Sequence, residues 1–158
     1  MKLYTITILI AVLVTGCISR AKLSAFDQSA NTIDFEKLSK EFKQTTTPFL
    51  TYKTTNEYYF EIAKNIEETK IIEVIKMSLS KYKYKLAFSN VENKCIIGKR
   101  GIKANEWKSI TAVYYKTSID KIQIYLNTKI SQDFTGGIRQ NRAMEVGKLI
   151  EQILKNNK

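Results

Sequence analysis

The sequence predicts an α+β fold: an antiparallel sheet in the order β-α-β-β-β-β-α, with two helices packed on one face and the other face open to solvent or a partner. Three observations carry this expectation. Apolar residues recur at helical spacing in two stretches, several runs between them alternate with period two, and short polar turns separate those runs. The chain has 158 residues, 44% hydrophobic and 11% aromatic, with one Pro and six Gly. That length suits one domain with a modest core, and the composition excludes collagen-like, wholly disordered and disulfide-stapled classes.

Asp34 is placed to cap a short helix over 35–42, in which Phe35, Leu38 and Phe42 share a face at i, i+3 and i+7. Three threonines and Pro48 end it. Residues 57–64 hold Tyr58, Tyr59, Phe60 and Ile62, a β-prone run. Asn65-Ile66-Glu67-Glu68 then opens the first strong helix, with Ile71, Ile72, Ile75, Leu79 and Tyr82 inward and early acids that suit the positive end of the helix dipole. Residues 82–88 alternate Tyr, Lys, Tyr, Lys, Leu, Ala, Phe, which reads as a strand with a lysine face. A turn at 90–93, a strand at 94–97, a strand at 107–116 and a turn at 118–120 follow. Residues 122–130 alternate Ile122, Ile124, Leu126, Thr128 and Ile130 with Gln123, Tyr125, Asn127 and Lys129, the pattern of a half-buried strand. The last helix, 139–156, turns Ala143, Val146, Gly147, Ile150, Ile153 and Leu154 inward.

The N-terminus carries a different signal. Met1-Lys2 is followed by a nearly unbroken apolar run over 3–14 and then by Val14-Thr15-Gly16-Cys17. Twelve residues at about 1.5 Å each cover about 18 Å, short of the roughly 30 Å hydrocarbon core, so the run reads as an export signal and not a spanning helix. Val14-Thr15-Gly16-Cys17 resembles the lipobox of bacterial lipoproteins at each position. The resemblance implies cleavage between Gly16 and Cys17 and a diacylglycerol thioether on Cys17, and Ile18 after the cysteine resembles the outer-membrane sorting class. The expected organisation is a signal peptide over 1–16, a lipidated N-terminus and flexible tether over 17–32, and one α+β domain over 33–158. Over 57–154 the element order also resembles the helix-grip domains of envelope lipoproteins such as BamC. That likeness is of pattern and transfers no functional residue.

The chain contains 26 Lys+Arg, 15 Asp+Glu and no His, a formal charge of +11. The charge invites a nucleic-acid partner, but an exported protein is separated from one. From Lys76 to Lys108 there are nine basic and two acidic residues, so the imbalance is concentrated around the first helix end and the following hairpin. Within it, Lys81, Lys83 and Lys85 interleave with Tyr82 and Tyr84 and are expected to form a basic stripe on one strand face. Gly98-Lys99-Arg100-Gly101 resembles the backbone-clamping loop of KH domains. An apolar β-like run precedes it, however, which favours a strand end with solvated Lys99 and Arg100. Thr135-Gly136-Gly137 leads into Arg139 and Arg142, where backbone N–H groups and two arginines could form an anion site. These seven cations are the candidate anion-binding residues. Their expected ligands are an anionic lipid, lipopolysaccharide or envelope glycan, and an envelope protein partner fits the same charge.

Catalysis finds little support. No His, Gly-x-Ser-x-Gly elbow, metal-spaced cysteine pair or P-loop is present, and Glu67, Glu68 and Glu73 are ordinary for a helix start. No cofactor or metal is expected. With Cys17 acylated, Cys95 is the remaining thiol, in an apolar Cys95-Ile96-Ile97 run that suits burial. The reading is a lipid-anchored, non-enzymatic accessory or interaction module of the bacterial envelope, at the outer membrane facing the periplasm.

Overall fold

The computed structural model describes residues 23–44, 56–63, 66–101, 108–130 and 142–156. Its centre is a long antiparallel hairpin. β4 (Ser109–Thr117) and β5 (Ile122–Ile130) pair from Ser109 opposite Ile130 to Thr117 opposite Ile122. Their turn closes through the Ser118 N–H on the Lys121 carbonyl at 2.9 Å. β1 (Asn56–Ile62) adds to β5, β3 (Cys95–Arg100) adds to β4, and β2 (Lys85–Asn90) adds to β3. The order across the sheet is β1-β5-β4-β3-β2, antiparallel throughout, and the fold class is α+β as expected.

α2 (Glu68–Lys81) and α3 (Arg142–Asn156) cover one face and touch each other, α2 above β2 and β3, α3 above β1 and β5. Their apolar stripes are largely those the spacing marks out. Ile71, Val74, Ile75 and Leu79 of α2 and Ala143, Val146, Ile150 and Leu154 of α3 meet Phe60, Ile62, Ile96, Val113, Tyr115, Ile122, Ile124 and Leu126 of the sheet. α3 begins where β1 begins, because the Asn56 side chain accepts from the Ala143 N–H at 3.0 Å and satisfies one otherwise orphaned donor of the helix start. Gly147 lets α3 approach β1. A Cβ there would stand 2.9 Å from Tyr58 Cε1 and nearer still to Cδ1.

The second face corrects the expectation that it is open. α1 (Phe35–Gln44) lies there, begun by Asp34 Oδ1 accepting from the Lys37 N–H at 2.9 Å. Two short 3-10 turns, Leu23–Ala25 and Ala30–Thr32, precede it. Phe26, Ala30 and Phe35 are buried against Tyr59, Cys95, Ile97, Ile110, Ala112, Tyr114 and Tyr125, with Leu23, Leu38, Phe42 and Phe88 at the margin. Leu23 onward, expected as tether, is therefore part of the domain. The physical reason is that both faces of β4 and β5 are apolar or aromatic enough to need cover, which the turn at Ala30–Thr32 supplies over β4 and the amphipathic α1 continues over β1.

The strand expected from Tyr82 begins later. Tyr84 N–H bonds the Leu79 carbonyl at 2.9 Å and Lys83 N–H the Ser80 carbonyl at 2.8 Å, with Lys83 at φ 65. This is a Schellman closure of α2, with a lysine in the left-handed position usually filled by glycine. Lys81 thus ends a helix, Lys83 sits in a turn, and of the expected stripe Lys85 alone lies on a strand.

Gly147→Ala should destabilise the domain by about 1–2 kcal/mol, because overpacking against Tyr58 outweighs the roughly 1 kcal/mol helix-propensity gain. Thermal unfolding measures this. In a Tyr58→Ala background the same substitution should become neutral or stabilising, and an equal loss in both backgrounds would refute the close-approach account.

Candidate functional site: the basic end of the sheet

Strand register shows which of the candidate cations come together. Lys85 stands opposite Lys99, Lys99 opposite Ile110, and Ile110 opposite Lys129, so these side chains form one row across β2, β3, β4 and β5. Cross-strand partners point to the same side, here the second face. α2 ends at this same end of the sheet, which adds Lys81 and Lys83. Lys81, Lys83, Lys85, Lys99 and Lys129 are all exposed. Among the described residues none of the first four has a carboxylate partner. Like charges directly opposite, as at Lys85 and Lys99, oppose pairing by a few tenths of a kcal/mol to about 1 kcal/mol.

Arg100 behaves differently from the solvated residue expected. The strand alternation turns it to the helix face, where it is 8% exposed with its guanidinium carbon 6.0 Å from the Tyr84 ring centroid. It belongs to a buried polar corner in which Tyr84 Oη lies 3.1 Å from Ser109 Oγ, and Thr111 and Thr128 hydroxyls lie 2.8 Å apart. Gly98 and Arg100 lie within β3, the strand reading of the Gly-x-x-Gly segment. Arg142 opens α3 and donates to Glu145 Oε2 at 2.7 Å, so its charge is engaged within its own helix. Arg139, the glycines before it, Gly16 and Cys17 lie outside the described residues. Lys129 escaped sequence reasoning because it looked like one polar position in an alternating strand; its register with Ile110 was the missing information.

The second face also holds a polar layer. Tyr59, Tyr125, Tyr114 and Cys95 are successive cross-strand partners. Tyr125 Oη donates to Glu57 at 2.7 Å, Tyr114 Oη donates to the Asp27 carbonyl at 2.8 Å, and Tyr59 Oη donates to Glu61 while accepting from Gln123 at 2.8 Å. Burial above all, with Glu57, Glu61 and other negative neighbours, raises these phenols further from ionisation. Burial alone would raise the Glu61 carboxyl too, but hydrogen bonds from Tyr59, Ser39 and Gln123 and the nearby Lys121 outweigh it and hold it down to about 2. Cys95 is pushed up to about 12, first by burial and then by Asp27. The chemistry here is that of a satisfied internal network tying α1 and its preceding turns to the sheet.

Of the acids at the start of α2, Glu68 accepts from Tyr115 Oη at 3.0 Å and Glu73 pairs with Lys70 at 3.5 Å. No group of three His, Cys, Asp or Glu able to hold a metal occurs among the described residues. No protein-family model matches the chain, and no curated protein is similar to it.

Glu61 contributes stability that is complete above its ordinary value near 4.5 and is lost as pH falls towards 2. Glu61→Gln should lower stability near neutral pH by on the order of 3 kcal/mol. The gap to the parent should close steadily below pH 4.5 in denaturant titrations. A gap independent of pH would contradict the ionised network. Cys95, in turn, should resist maleimide at pH 8 in the folded protein and react at once on unfolding; rapid native labelling would be inconsistent with its burial.

Proposed function

We propose that this is a lipid-anchored protein of the bacterial cell envelope whose domain is a non-enzymatic accessory or interaction module, held at the outer membrane facing the periplasm. The carrying observation is Val14-Thr15-Gly16-Cys17 directly after the apolar run of 3–14. Two or three acyl chains, at about 0.8 kcal/mol per buried CH₂, attach a protein far more firmly than one chain does. No helix among the described residues is long and apolar enough to cross a membrane.

A second reading, a binding module for an anionic lipid, lipopolysaccharide or envelope glycan, is supported by the convergence of Lys81, Lys83, Lys85 and Lys99 at one end of the sheet.

Cys17→Ser should accumulate as the larger, uncleaved precursor without a diacylglycerol adduct, and blocking the lipoprotein signal peptidase should leave a larger, lipidated form. Mass spectrometry of the mature N-terminus reads both. A mature protein that begins elsewhere, or unchanged cleavage in Cys17→Ser, would sink the anchoring proposal.

A further inference from the structure

The docked N-terminal segment has a direction. Lys129 Nζ lies 4.9 Å from the Phe26 ring centroid and donates to the Ala25 carbonyl, which pins the first described residues to the end of β5. Asp27 then reaches Tyr114 and Cys95 in mid-sheet, and the Ala30 N–H bonds the Asn93 carbonyl at 2.8 Å in the turn between β2 and β3, at the opposite end. The chain therefore enters the domain at the end that carries the lysine row. Five residues separate Cys17 from Leu23. At no more than about 3.6 Å per residue they reach about 20 Å.

The far end of β5 is eight residue steps away, about 27 Å at strand rise. With screening over about 8 Å at physiological salt, charges at that far end do not sense a surface the near end touches. At the near end, Lys85 and Lys99 face each other without a carboxylate, and Lys83 occupies a left-handed position where glycine would cost less. Two local misfits thus concentrate positive charge beside the point of chain entry.

We propose that this end is a second membrane contact, in which Lys81, Lys83, Lys85 and Lys99 lie against the anionic phospholipid head groups of the same bilayer that holds Cys17. The strands then stand end-on to the membrane, with the turn at Ser118 outermost. The proposal rests on the anchoring reading for the position of the tether, and on the lysine row itself for the contact. Anchor and patch act together, each raising the local concentration of the other.

The test is an amine-acylation footprint of the full-length protein on vesicles, read residue by residue by mass spectrometry. On phosphatidylglycerol-containing vesicles Lys81, Lys83, Lys85 and Lys99 should react several-fold more slowly than on phosphatidylcholine alone. Lys116 and Lys121, at the far end, should react equally on both, and high salt should abolish the difference. Lys85→Gln/Lys99→Gln should return Lys81 and Lys83 towards the neutral-vesicle rate without lowering thermal stability, since it relieves a like-charge pair. In the Cys17→Ser chain, whose uncleaved apolar run binds neutral and anionic vesicles alike, the preference for anionic over phosphatidylcholine vesicles should weaken by roughly fivefold for each lysine neutralised. Equal protection at both ends, or protection indifferent to lipid charge, overturns the contact. If Cys17 proves unlipidated, the anchoring reading fails, while the footprint on added vesicles still decides the basic end.

Discussion

The β4–β5 pairing is the constraint on which the other layers depend. Both strands are buried almost along their length, so neither face of the hairpin tolerates water. One face is apolar except for the polar corner at Arg100 and takes α2 and α3; the other carries tyrosines with polar partners among apolar residues and takes α1 with its preceding turns. The outer strands β1, β3 and β2 extend this hairpin sideways, and the helices pack on it directly and through them. Asn56 on β1 illustrates the dependence, since it starts α3 only because β1 is registered on β5.

The two faces are stabilised by different physics. The helix face is conventional burial, worth about 1.5–3 kcal/mol for each large side chain removed from water. The tyrosine face buries rings whose hydroxyls each require a partner, and Glu57, Glu61, Gln123 and the Asp27 carbonyl provide them. An unmet hydroxyl there would cost about 1–3 kcal/mol, so this layer specifies one position for the N-terminal segment, where an apolar layer would tolerate several.

Much of the fold was legible as periodicity. The inward faces of α2 and α3, the alternation of β5 and the cap at Asp34 follow from residue spacing, which reports local geometry directly. The covered second face was not legible, because alternation with Gln123, Tyr125 and Asn127 looks the same whether those residues meet water or a polar layer of protein. A signal did exist. Ile110-Thr111-Ala112-Val113-Tyr114-Tyr115 is apolar on both parities, and Phe35, Leu38 and Phe42 formed a stripe with no assigned partner. For the candidate site, sequence found the lysines and missed their arrangement: the Schellman turn at Lys83 breaks the supposed stripe, and register across four strands assembles a different one. The Arg100 error came from taking a strand-end residue as solvated, when its alternation within β3 turns it to the buried helix face.

The docking of the N-terminal segment has a consequence for when the chain can fold. Ala25 meets Lys129 across 104 residues, and Asp27 meets Tyr114 across 87. A segment made first has no surface to settle on until the central hairpin has been synthesised, and β1 likewise waits for β5. Contacts of this span are slow to close, since the loop entropy must be met before any of them forms. The topology therefore keeps the nascent chain open until most of it exists.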